Sequence, residues 1–226
     1  MTDLQVITDY DPAWADAGVV ARQAALPDPL LRLHRAILTY FLDHGGPPGR
    51  PWLDGAAGRH GLDPAAAFTE LAAADLVHLD DAGMVRAAYP FSGAPSGHQV
   101  RLDGTPPVWA MCALDALGIP QMARRDGTIT AADAHTGDPV DVQVSGGRWQ
   151  WQPGTASVLA AHSNSSVRAA QCACPYVNFV SGPDHARAYL ASHPELTGHL
   201  LSQGAAIEFA GAVFGSLLPA TTPGRG

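Results

Sequence analysis

The sequence predicts an α+β protein, with a helical N-terminal part followed by a mixed or antiparallel β core and flanking helices. Two observations carry this. Apolar residues recur at helical spacing through much of the first seventy-odd residues. Beyond them, short β-branched and aromatic runs alternate with Gly, Pro and Asp turn clusters. Composition agrees with a packed chain. Of 226 residues, 46% are hydrophobic and only 15% charged, the opposite of a disordered sequence.

The elements follow in order. Residues 14–26, with Pro27 and Pro29 after them, read as a loose lead-in with a short helix. From Leu31 the pattern turns helical: Leu31, His34, Ile37, Leu38, Phe41 and Leu42 share one face, and Gly45-Gly46-Pro47-Pro48 stops the run. A shorter helix covers 53–59. Asp63-Pro64 starts a third, with Asp63 as N-cap and Pro64 at the first helical position. Its inner face carries Phe68, Leu71, Ala72 and Leu76. Residues 77–79, the turn Asp80-Asp81-Ala82-Gly83 and residues 84–88 read as a β-hairpin.

Three short helices and a hairpin is the order of a winged helix. A DNA-reading third helix needs bases to track phosphates, yet DPAAAFTELAAADLV holds three acids and no base. The module is therefore expected to pack, not to read DNA. The stretch 93–97 marks a boundary, giving a winged-helix-like module at 1–92 and a catalytic α+β domain at 93–226.

In the second part, His98–Leu102 reads as a strand. Residues 109–117 read as a short helix closed by Gly118 and Pro120. Strands follow at 128–132, 140–144, 148–152 and 157–161. Residues 173–180 read as a buried strand. Asp184 is expected to cap a helix at 185–192, residues 201–218 to form the closing helix, and 219–226 to fray.

The formal net charge is −8, and all 13 basic residues are Arg. Such a chain is a poor partner for nucleic acid or anionic membrane. No apolar run reaches a membrane span and no signal layout opens the chain, so it is expected in the cytoplasm. The three cysteines, Cys112, Cys172 and Cys174, do not make a disulfide framework; in a reducing compartment they point to thiol or metal chemistry.

Cys112 falls at a helix start, where the helix dipole favours thiolate. Asp115, three residues on, shares its face, so a thiol and a carboxylate are within proton-shuttling reach. By itself the pair reads equally well as a buried Cys beside a solvated Asp. In an extended Cys172-Ala173-Cys174-Pro175, both thiols face one side, suited to a soft metal or to plain apolar packing. The ten histidines form no metal spacing; His98, His135 and His162 are candidates for supporting groups. No phosphate loop, GxSxG or Walker pattern is present.

At these residues the chain resembles the alkylmercury (organomercurial) lyases. The likeness rests on Ala88-Tyr89-Pro90-Phe91-Ser92, on W-A-M-C-A-L-D-A-L-G-I-P from Trp109 to Pro120, on Thr136-Gly137-Asp138-Pro139-Val140, on C-P-Y-V-N-F from Cys174 to Phe179, and on the tail ending Phe214-Gly215. It implies protonolysis of a carbon–mercury bond, giving a hydrocarbon and Hg(II). Cys112 matches the family's first catalytic Cys and Asp115 its catalytic Asp. The downstream V-N-F anchor assigns the second catalytic thiol to Cys174; counted from Arg168, Cys172 matches instead and is otherwise a third mercury ligand. The family's frequent Phe before the first Cys is absent, and Asp133 stands where some members carry another Cys.

The resemblance implies an organomercurial substrate, mercury bound by Cys112, Cys174, Asp115 and Cys172, and no organic cofactor, Hg(II) being the bound product. Cellular thiols or a mercuric reductase would take the Hg(II), and the protein would be a monomer or homodimer. Two other readings use the same thiols: a winged-helix metal-responsive regulator, and a lyase-fold protein for metal sequestration.

Overall fold

A computed structural model describes residues 4–11, 18–163 and 174–220. It is a mixed helix-and-sheet fold. The N-terminal helices are α1 (Val19–Ala24), α2 (Asp28–His44), α3 (Arg50–Arg59) and α4 (Pro64–Ala73). Local chemistry sets their ends. Gly45 takes the left-handed conformation at φ 78° that closes α2, and Asp63 Oδ1 accepts from Ala66 N at 2.9 Å to open α4. Leu33, His34, Ile37, Leu38 and Phe41 are buried on α2. Of the described residues in the first expected helix, Val19–Ala24 is helical; residues 12–17 lie outside the described residues.

The hairpin β2 (Val77–Leu79) and β3 (Val85–Ala88) forms as expected. It begins an eight-stranded antiparallel sheet with β4 (Phe91–Ser92), β5 (His98–Leu102), β6 (Val108–Ala110), β7 (Gly127–Ala132), β8 (Pro139–Ser145) and β9 (Arg148–Gln152). The strand order is β2-β3-β4-β6-β5-β7-β8-β9. In β8 the sequence alternates strictly: Val140, Val142 and Val144 are buried, while Asp141, Gln143 and Ser145 are exposed. Phe41 on α2 stacks on Phe91 on β4, ring centroids 5.2 Å apart. The N-terminal helices thus share one apolar core with the sheet.

A second, four-stranded sheet has the order β1-β12-β10-β11, from β1 (Val6–Ile7), β10 (Ser157–Ser163), β11 (Val177–Val180) and β12 (Leu196–Leu201). Its β1–β12 pair is parallel and the other pairs antiparallel. Between the two sheets runs α5 (Ala113–Ala123), which packs along α7 (Gln203–Phe214); α6 (Pro183–Ser192) covers the outer face of the small sheet.

Four expectations need correcting. Residues 109–110 belong to β6, paired with β4 and β5, so the helix starts only after Cys112. It then runs through Gly118 and Pro120 to Ala123. Gly118 is not a stop: a Cβ there would collide with Phe214, so glycine is what lets α7 lie against α5. Burial of both residues outweighs their poor helix propensity. Cys174 opens a short 3-10 turn, Cys174–Tyr176, and the strand begins only at Val177; proline cannot donate to a ladder. Gly182, not Asp184, is the N-cap of α6, and Asp184 sits in its first turn, paired with Arg187 Nη1 at 2.7 Å. The closing segment divides into β12 and α7, the latter capped by Ser202. Residues 221–226 lie outside the described residues.

Candidate active site

Cys112 is the N-cap of α5. Its backbone is extended, with φ −155° and ψ 179°, and its Sγ accepts from Asp115 N at 3.5 Å. A thiol therefore stands where Ser or Asp usually caps a helix. This geometry turns Asp115 inward with the same turn. Cys174 arrives from the other sheet, on the turn leading into β11, and its Sγ lies 3.9 Å from Asp115 Oδ2. One ligand atom from each of Cys112, Asp115 and Cys174 falls within 4.8 Å of the other two. Cys172 lies outside the described residues.

The cluster sits at a cavity of about 380 Å³. Its walls are apolar, chiefly Val19, Leu114, Val177, Leu201, Phe209 and Phe214, with Tyr89, His162 and His199 completing it. That volume holds an aryl or alkyl group, and the walls offer such a group nothing to bond except by dispersion.

Burial sets the protonation of the cluster. Asp115 is 1% exposed, and burial pushes its carboxyl up to about 7, against the opposing hydrogen bonds from Cys112 and Cys174. Asp115 Oδ1 is buried without a hydrogen-bond partner among the described residues. Cys112 is pushed well above the usual thiol range, first by burial and then by its contacts with Cys174 and the charge of Asp115. This corrects the expectation of a dipole-favoured thiolate: at the N-cap of a buried helix, desolvation outweighs the helix terminus. Asp115 is likewise no solvated acid. Without mercury, the site stores protons at neutral pH.

Tyr89 was not singled out for a role by the sequence, although it stands in a motif that carried the resemblance. It lines the cavity, is buried, and hydrogen-bonds Cys174; burial raises its hydroxyl well above the usual range. His199 carried no sequence signal, because only the β10–β12 pairing brings it to the cavity.

The other candidates lie elsewhere. His98 is buried against Phe179, ring centroids 5.7 Å apart, and burial lowers its imidazole to about 4. Asp133 is a buried anchor. Its Oδ1 accepts from His135 N at 2.8 Å and Thr136 N at 3.0 Å, and its Oδ2 accepts from Ser181 N and pairs with His185 Nδ1 at 2.8 Å. Burial opposes its ionisation, but these donors outweigh it and hold the carboxyl well below the usual range. Asp133 thus ties the β7–β8 turn to the loop before α6, and His135 belongs to that turn.

Comparison with known proteins gives a consistent picture. The alkylmercury lyase (MerB) family model matches residues 91–215. Alkylmercury lyases from Bacillus cereus and Clostridium butyricum are each 31% identical over 153 residues, covering 66% of this chain and 67% of the relative. The crystal structure of the mercury-bound form of MerB2 superposes with a TM-score of 0.72 at 20% identity, over 89% of this chain and 97% of that one.

Proposed function

This chain belongs to the alkylmercury lyase family, an enzyme family that cleaves carbon–mercury bonds, and we propose that Cys112, Cys174 and Asp115 carry that reaction here. The observation that supports this most is the convergence of two thiols and one proton-holding carboxyl within 4.8 Å at an apolar cavity.

The chemistry follows from softness and proton accounting. Thiolate sulfur and mercury are soft partners, so R–Hg⁺ displaces a thiol proton where water or a hard cation would not. Cys112 and Cys174 take the mercury in turn; of the two displaced protons one leaves to solvent and the other passes to Asp115, whose raised value suits it to hold one near neutrality. Two thiolates on one mercury enrich the bound carbon in electrons. The carbon takes the proton from Asp115, the Hg–C bond breaks, and R–H leaves. Mercury remains Hg(II) throughout, on Cys112 and Cys174, with Asp115 and Cys172 as further ligands.

No organic cofactor enters this scheme. The N-terminal helices and hairpin form a winged-helix-like packing module over 1–92, and the catalytic domain spans 93–226. Hg(II) passes to cellular thiols or a mercuric reductase, and the protein works in the cytoplasm as a monomer or homodimer. No helix among the described residues is long and apolar enough to cross a membrane.

The test is direct. Reduced protein is incubated with phenylmercury and excess thiol, and benzene is measured by gas chromatography. Wild type should release benzene and Cys112→Ser none, while the variant keeps the wild-type circular dichroism. Benzene at the wild-type rate from the Ser variant removes Cys112 from the mechanism.

A further inference from the structure

We propose that His162 and His199, at the cavity mouth, are the general bases of product release, taking the proton of each incoming acceptor thiol as it captures Hg(II). The proposal rests on the reading that Hg(II) is left on Cys112 and Cys174.

The two imidazoles reach the mouth from neighbouring strands. The register pairs Ala160 with His199 and His162 with Thr197, which puts both rings on one face of the small sheet as diagonal neighbours. That face lines the cavity through Ala160, His162, His199 and Leu201. Both histidines are exposed, whereas Cys112 and Asp115 are buried. Thr197 Oγ1 lies 3.2 Å from His162 Nε2 and holds that ring in place. Among the described residues, the titratable groups sharing the cavity with them are Tyr89, Cys112, Asp115 and Cys174; α7 adds Phe209 and Phe214, and β11 Val177.

Proton accounting explains why a base belongs there. An ordinary alkyl thiol, with a pKa near ~8.5, is mostly protonated at neutral pH, and the thiolate is the attacking species. The cysteine whose mercury–sulfur bond breaks needs a proton in its turn to be left as a neutral thiol. In each exchange the acceptor S–H bond breaks and its proton goes to an imidazole. A mercury–sulfur bond to the acceptor forms as one to a cysteine breaks. The imidazolium then returns the proton to that cysteine, and mercury stays Hg(II). Imidazole is the side chain suited to take and return a proton in this pH range.

The test loads the full-length protein with HgCl₂ and follows loss of the mercury–thiolate absorbance on adding an acceptor. One acceptor is 2-mercaptoethanol; the other is a thiophenol, already ionised at pH 7. His162→Gln/His199→Gln should slow transfer to 2-mercaptoethanol by roughly a hundredfold at pH 7, with little change for the thiophenol. The gap should close as pH rises and mercaptoethanol ionises. Equal rates in variant and wild type overturn the proposal, as does equal slowing with both thiols, which would mark a merely structural role. Benzene release by wild type in a parallel single turnover reports separately on the underlying reading.

Discussion

Asp115→Asn should do two opposite things: abolish hydrocarbon release and stabilise the fold above neutral pH. The carboxyl sits near 7 in the folded protein against 3.8 when unperturbed, because it is buried. With the folded value above the unfolded one, wild type has its full stability below about pH 4 and loses it as pH rises towards 7. Three pKa units at about 1.4 kcal/mol each come to about 4 kcal/mol, more than half of it between pH 5 and 8. Asparagine has no proton to lose, so its stability lacks this slope. For a chain of this length the gap at pH 8 corresponds to a Tm difference of about 10 °C. Thermal unfolding of reduced, mercury-free protein from pH 5 to 8 measures it, and taking the difference from wild type cancels the titrating groups that Asp115 does not touch. The same variant should retain mercury after desalting, since both thiols remain, yet form almost no benzene from phenylmercury. A stability gap that does not grow with pH refutes the buried, proton-holding carboxyl. Benzene at the wild-type rate refutes the proton carrier.

Other outcomes follow from the same geometry. Cys174→Ala should be inactive and Cys172→Ala substantially active in the benzene assay; the reverse ranking would move the second thiol to Cys172. His34 and His98 are both buried, with imidazoles lowered from 6.5 to about 4, chiefly by burial. Each keeps its stability above pH 6.5 and loses about 3 kcal/mol as pH falls through 4, so His98→Leu should flatten the acid limb of a denaturation-against-pH curve by about that amount. Gly118→Ala should cost about 1–3 kcal/mol by driving α7 off α5, and should raise KM for phenylmercury because Phe214 walls the cavity. An unchanged Tm and KM would mean that α7 moves freely.

The features readable from the chain alone are local. Asp63 before Pro64, Gly45 after α2, the alternation of β8 and the turn at Asp80–Gly83 all act within a few residues, so they were legible without the fold. The spacing of Cys112 and Asp115 was legible for the same reason, since one helical turn joins them. The reading broke down where distant contacts outvoted local preference. Gly118 looks like a helix end until Phe214 packs against it. Trp109 and Ala110 look helical until β4 and β5 pair with them. The same holds for the chemistry. Helix-start logic made Cys112 a thiolate, and only burial between two sheets and α7 reverses it. Cys174 lies 59 residues from Asp115 in the chain, and His199 reaches the cavity only through the register of β12. Spacing along a chain can place a thiol beside a carboxyl. Desolvation depends on everything that surrounds them, and that is assembled only in the tertiary structure.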